Sequence, residues 1–140
     1  MSDADALPVP LVDGMIHRPD APAHMMRIAP ANRRVTVRAG DTVLATSDAA
    51  LRLVEIGRDV YPPVHYLPLE DVAVELVPTA TSTHCPLKGD TTYHDWRPEG
   101  GEPVEGIAWV YDRPLPHARA LAGHVAFDPA RTSVTDAPLD

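Results

Sequence analysis

At 140 residues the chain fits one domain with a modest core. Apolar residues make up 44% of it but aromatics only 5%, so the core must rest on Val, Leu and Ala with a few large side chains. Sixteen prolines argue against long helices and for short strands joined by turns, and a formal charge of −8 with scattered basic residues offers no electrostatic footprint for DNA or RNA.

Residues 1–32 are rich in Pro, Ala and His without a clear period. The stretch Arg18-Pro19-Asp20-Ala21-Pro22-Ala23 reads as an extended N-terminal arm, lying over the domain or loosely held. Met1 to Asp5 carry acids where a secretory leader would be basic and then apolar. No run of about eighteen apolar residues is present to span a bilayer. Cys85 is alone and cannot form an internal disulfide. A cytoplasmic location away from membranes is the expectation.

The ordered domain is expected over residues 33–129. Val35 and Val37 alternate with Thr36 and Arg38, Ala39-Gly40-Asp41 turns the chain, and Thr42 to Thr46 returns, which predicts a hairpin. Leu51 to Ile56 is short and follows that hairpin, favouring strand over helix. After the Pro62-Pro63 pair, Val64 to Leu67 is a strand; Asp71 is read as capping the turn at Pro68. Val72, Val74 and Leu76 predict one face of a further strand. Asp90 to Trp96 has the Thr, Tyr and Trp content of a strand. Gly100-Gly101 then turns into another, with Ile107, Trp109 and Tyr111 on one face. Pro114 to Ala122 is the helix candidate, closed by Gly123. Val125 and Phe127 predict a last strand, and residues 130–140 a polar C-terminal tail.

Chemistry is concentrated in Thr83-His84-Cys85-Pro86-Leu87-Lys88-Gly89-Asp90-Thr91-Thr92-Tyr93, where a thiol, an imidazole, an ammonium, a carboxylate and a phenol share a bent backbone. Cys85 is a nucleophile candidate, and Lys88 is the cation that would lower its pKa. His84 is its neighbour in sequence, but adjacent strand residues face opposite ways, so the two are not a ready-made dyad. The plainer role for Cys85 is a small buried apolar group. Glu55 ends an apolar stripe with Leu51 and Leu53; a desolvated carboxylate there needs a cation, and Lys88 is the candidate partner. At the strand end beside Gly57, Glu55 would instead be solvated. Tyr66, Tyr93, Trp109 and Tyr111 supply packing or line a cleft. The histidines His17, His24, His65, His84, His94, His117 and His124 match no metal-ligand spacing, and one cysteine cannot build a paired-thiolate zinc site. Glycine-rich phosphate loops and Gly-x-Ser-x-Gly are absent.

The run Thr83 to Gly89 followed by Tyr93 resembles the signature of a bacterial and fungal family, domain of unknown function four-two-seven, also catalogued under a nucleotidyltransferase-like name. Ala45-Thr46-Ser47, Glu55, Val64-His65-Tyr66-Leu67-Pro68, Asp71-Val72, Ala108-Trp109-Val110-Tyr111 and Gly123 to Phe127 carry the same resemblance. It covers about residues 33–129, with Leu87 where an aromatic is usual. It implies a β-tent-like fold, two antiparallel sheets leaning together, here with one short helix near the C-terminus. Many β-tent domains bind zinc through paired cysteines; this chain lacks them, so a lost metal site is implied.

The expected architecture places a cleft between the sheets, lined by Glu55, Tyr66, His84, Cys85, Lys88, Tyr93 and Trp109. The leading functional expectation is a small-molecule-binding domain in which Lys88 and Glu55 orient a polar ligand against Trp109 and the tyrosines. The alternative is an enzyme of group-transfer type, with Lys88 stabilising anionic charge and Glu55, His84 or Cys85 as acid, base or nucleophile. A third is an interaction protein docking through a sheet edge or its acidic surface. No cofactor or oligomeric state follows from the residues.

Overall fold

The computed structural model describes residues 14–140. Its strands are β1 (Ile16–Arg18), β2 (Ala21–Pro30), β3 (Arg33–Ala39), β4 (Thr42–Ser47), β5 (Leu51–Ile56), β6 (Val64–Pro68), β7 (Leu76–Pro78), β8 (His84–Cys85), β9 (Gly89–Trp96), β10 (Val104–Pro114), β11 (His124–Phe127) and β12 (Ser133–Pro138). They form two antiparallel sheets, as the family resemblance implies, built from the short strands that the turn-punctuated sequence predicts. The larger runs β1-β2-β5-β6-β11-β10-β9-β7, with β8 also on β9; the smaller is β12-β3-β4. Among the described residues no helix is long and apolar enough to cross a membrane.

Strand alternation puts a different core on each face of the large sheet. Leu67 of β6, Ala108 and Val110 of β10, and Val125 and Phe127 of β11 face one way, onto Val35, Val37, Leu44 and Ala45 of the small sheet. Their neighbours face the other way. Tyr66, Tyr111 and Ala126 join Met26 of β2, Leu53 of β5, Leu87, Ala118 and Leu121 in a second core. The small sheet therefore covers one face, while the 310 turn Pro116–Leu121 and the turn carrying Leu87 cover the other.

Several sequence expectations are corrected. The arm is no loose appendage over its described part: β2 pairs with β5 from Met25/Ile56 to Pro30/Leu51, and Met26 is fully buried. Its first thirteen positions lie outside the described residues. The polar tail is also strand, β12 pairing with β3 from Ser133/Arg38 to Pro138/Arg33; its burial pattern is exposed throughout, so backbone pairing holds it rather than an apolar stripe. The C-terminal helix is a 310 turn, held on the sheet by Ala118 and Leu121 rather than by helical length. Residues 72–75 form no strand beyond an isolated bridge between Ala45 and Val72. Ile107 does not share the face of Trp109 and Tyr111, because the β9–β10 register slips between Val104 and Ala108 and turns it to the opposite core. Asp71 reaches across the fold, its Oδ2 accepting the Ser47 hydroxyl proton at 2.6 Å, and so ties β4 to the turn after β6.

The turn between β8 and β9 is constrained from several directions. Lys88 N–H donates to the Cys85 carbonyl at 3.2 Å, and the Lys88 carbonyl accepts from Leu115 N–H at 2.8 Å. The Leu87 carbonyl accepts from His117 Nε2 at 2.7 Å, and its side chain is fully buried. Gly89 follows at φ 116°, with the Arg113 carbonyl oxygen 2.5 Å from where a Cβ would sit. Only glycine meets both demands. Gly89→Ala is accordingly expected to destabilise the fold by at least about 1–3 kcal/mol. Gly100→Ala, at φ 70° with nothing within 4 Å of its Cβ position, should lose clearly less. Urea unfolding of the two variants checks the ranking.

Candidate functional site

The clamped turn aims Lys88 inward. Its Nζ lies 2.6 Å from Glu55 Oε1, and the two side chains are only 11% and 17% exposed. Glu55 sits opposite Met26 in the β2–β5 register. His24, two residues earlier on β2, shares that face, and its Nε2 donates to Glu55 Oε2 at 2.6 Å. Each carboxylate oxygen thus has its own donor, one from a turn and one from the N-terminal hairpin. The ammonium also lies over the Tyr111 ring, 5.8 Å from its centroid, within cation–π range.

Electrostatics follow from this geometry. Burial alone would push the Glu55 carboxyl up, but hydrogen bonds from Lys88 and His24 outweigh it and hold the pKa below the ordinary value. Burial would pull the Lys88 ammonium down; Tyr66, where alkaline pH ionises its phenol, and the Glu55 carboxylate more than offset this and hold it above its ordinary value. Burial pushes the Tyr66 and Tyr111 phenols up, so both stay neutral at physiological pH. The Tyr66 hydroxyl accepts from Trp109 Nε1–H at 3.2 Å. Tyr66 packs against Tyr111 with centroids 6.3 Å apart, and Tyr93 against Trp109 at 6.4 Å.

Beside this cluster the large sheet opens. Strands β6 and β11 pair only at Pro68/His124 and Leu67/Val125. Where their pairing stops, a cavity of about 760 Å³ lies between the two sheets. Val64, His65, Phe127, Trp109, Arg52 and Glu55 wall it from the large sheet, and Arg33, Val37, Val134 and Asp136 from the small one. A second hollow of about 510 Å³ is lined by Arg18, His24, Glu55, Arg58 and Tyr61. Glu55 and Tyr61 belong to both, so the held carboxylate stands on the wall between them.

Of the seven residues expected in the cleft, Glu55 and Trp109 line the cavity. Lys88 stands behind Glu55, Tyr66 behind Trp109, and Tyr93 against the indole. Cys85 is half-buried and packs against the second core. His84 turns outward: its side chain is 63% exposed, with Nδ1 donating to Asp90 Oδ1 at 2.7 Å. The alternation of β8 that separates it from Cys85 is the reason. Thr83 is structural, its N–H donating to the hydroxyl of buried Thr91 at 3.0 Å and closing the hairpin. Among the described residues no group of three or more His, Cys, Asp or Glu is placed to hold a metal ion.

His24, Arg18, Arg52, Arg33, Asp136 and Tyr61 were missed as site residues. For His24 a signal existed, a histidine two residues from an apolar Met, but it lay in a stretch without visible period. Arg18, Arg33 and Asp136 are brought in by strand pairing distant in sequence, whereas Arg52 shares β5 with Glu55 and Tyr61 donates its backbone N–H to the Glu55 carbonyl at 3.1 Å.

A family described as Domain of unknown function (DUF427), with a nucleotidyltransferase-like short name, matches residues 27–137. No curated protein matches the chain.

Because one removed partner strands a charge, Lys88→Met is expected to cost about 3–5 kcal/mol, and the double variant Lys88→Met/Glu55→Gln less than the sum of the single changes. The pH dependence is fixed by the two shifts. Glu55 titrates lower folded than unfolded, so its contribution is complete above an unfolded value of about 4.3 and is lost as pH falls through the folded value. Lys88 titrates higher folded, so its contribution is complete below about pH 10 and is lost as pH rises through the folded value. Denaturant unfolding from pH 3 to 11, on the order of those limits, should show the gap between wild type and Lys88→Met flat in the middle and closing at both ends.

Proposed function

The chain belongs to the DUF427 family of domains of unknown function, and for it we propose that the cavity between the two sheets binds a small molecule. The observation that carries this reading is the Glu55 carboxylate, held by Lys88 and His24 at 2.6 Å each, on the wall of a cavity of about 760 Å³. That volume suits a small ligand, and a few fixed polar groups on an otherwise apolar wall are what orient one. Trp109, steadied by Tyr66 and Tyr93, supplies a flat apolar surface. Because both carboxylate oxygens are already engaged by buried donors, Glu55 is pre-positioned and a ligand meets it without reordering it.

The group-transfer reading rests on the family's short name and finds less support in the geometry. The Lys88 charge, which would steady a transition-state anion, is already spent on Glu55 behind the cavity wall. His84 faces solvent, too far round the strand to serve Cys85. A cytoplasmic location belongs to the same proposal and is supported by the single free cysteine; the acidic balance favours a small ligand over nucleic acid as the partner.

Thermal unfolding in the presence of a broad metabolite panel tests the reading. At least one compound is expected to raise the midpoint saturably, as selective binding to the folded state must. The rise should vanish in Trp109→Ala, compared at each variant's own baseline. A panel without any shift counts against ligand binding, and a shift that persists in Trp109→Ala moves the site elsewhere.

A further inference from the structure

We infer that the ligand of the inter-sheet cavity is a small organic anion with an apolar body, its acidic group meeting the Arg52 guanidinium and its body lying against Trp109 and Phe127. This rests on the binding reading of the cavity and adds the chemical class. The assignment comes from a charge balance around the wall. Arg33 Nε is engaged by Asp136 Oδ1 at 2.6 Å, and Glu55 by Lys88 and His24. Each of those charges is cancelled within the protein. Arg52 also lines the cavity, yet among the described residues no carboxylate lies within 4.0 Å of it. Among the described residues the wall therefore presents one guanidinium, that of the solvent-exposed Arg52, without a carboxylate partner.

Its neighbour across the sheet adds no second cation. Arg52 faces His65 across the β5–β6 register. Burial, then the positive charge of Arg52, pulls the His65 pKa below its ordinary value, so at neutral pH the imidazole adds a hydrogen-bonding group and no second cation. Beyond the charged residues, His65 and the hydroxyls of Tyr61 and Thr132, the lining is apolar, with Val64, Phe127, Val134 and Trp109 prominent. A guanidinium binds carboxylate, sulfonate or phosphate through paired N–H donors, while an apolar wall rewards carbon. The chain as a whole carries −8 and repels anions at a distance. Selection for an anion must then come from the cavity wall itself.

The test uses two probes of similar size and shape: 8-anilinonaphthalene-1-sulfonate, an anion, and N-phenyl-1-naphthylamine, its neutral counterpart. Binding is read by quenching of Trp109 fluorescence in the Trp96→Phe background, where it is the remaining tryptophan. The sulfonate is expected to bind more tightly than the neutral probe. Arg52→Gln should weaken the sulfonate by about tenfold, the contribution of one charge-assisted hydrogen bond, and leave the neutral probe within about twofold; Arg52→Lys should restore part of the loss. Equal binding of the two probes, unmoved by Arg52→Gln, would overturn the anion assignment while leaving the cavity as a binding site. Failure of both probes to perturb Trp109 would overturn the cavity reading and this inference with it.

Discussion

Lys88 and Glu55 meet at 2.6 Å with most of both side chains out of water, and much of the molecule is arranged to make that meeting possible. Two isolated charges could not survive such burial, since the desolvation of each costs several kcal/mol. They survive as a pair because the remaining carboxylate oxygen is taken by His24 and the ammonium rests over Tyr111. The pair links the turn after β8 to β5, and His24 extends the link to β2. One carboxylate with two partners thereby ties three segments far apart in sequence.

The turn that delivers Lys88 is fixed by several independent means. Leu87 is buried as an anchor, His117 and Leu115 hold the two carbonyls, and Gly89 lets β10 pass too close for any side chain. Buried Thr91 closes the hairpin from the other side. Such over-determination costs sequence freedom, and it is the kind of cost borne where a side chain must hold one direction. Its outcome is a carboxylate locked on the wall between two hollows, beside a sheet whose strands part after two paired positions.

The all-β class and most strands were legible from proline content, β-branched alternation and glycine turns. Glu55 was legible too, as a charge ending the Leu51-Leu53 stripe, and Lys88 as its candidate cationic partner. Those are local signals and need only the two-residue period of a strand. The ends of the chain misled for the same reason. β2 carries two prolines in ten residues, and β12 has no apolar stripe, so neither shows the pattern of a half-buried strand. Both exist because a partner strand already presents hydrogen-bonding groups to them. Ile107 was assigned to the wrong face because a slip in register leaves no mark on apolar spacing.

By itself the sequence determined the secondary structure period, the family resemblance and the crowded turn at residues 83–93, because each is written in neighbouring residues. Tertiary structure alone decided which residues surround the cavity. His24 reaches Glu55 from 31 positions away, and Asp136 reaches Arg33 from 103 away. It also decided which charges remain open: Glu55 and Arg33 find partners across the sheets, and among the described residues Arg52 finds none. Strand order and register set those distances, and neither is encoded in the local spacing of side chains.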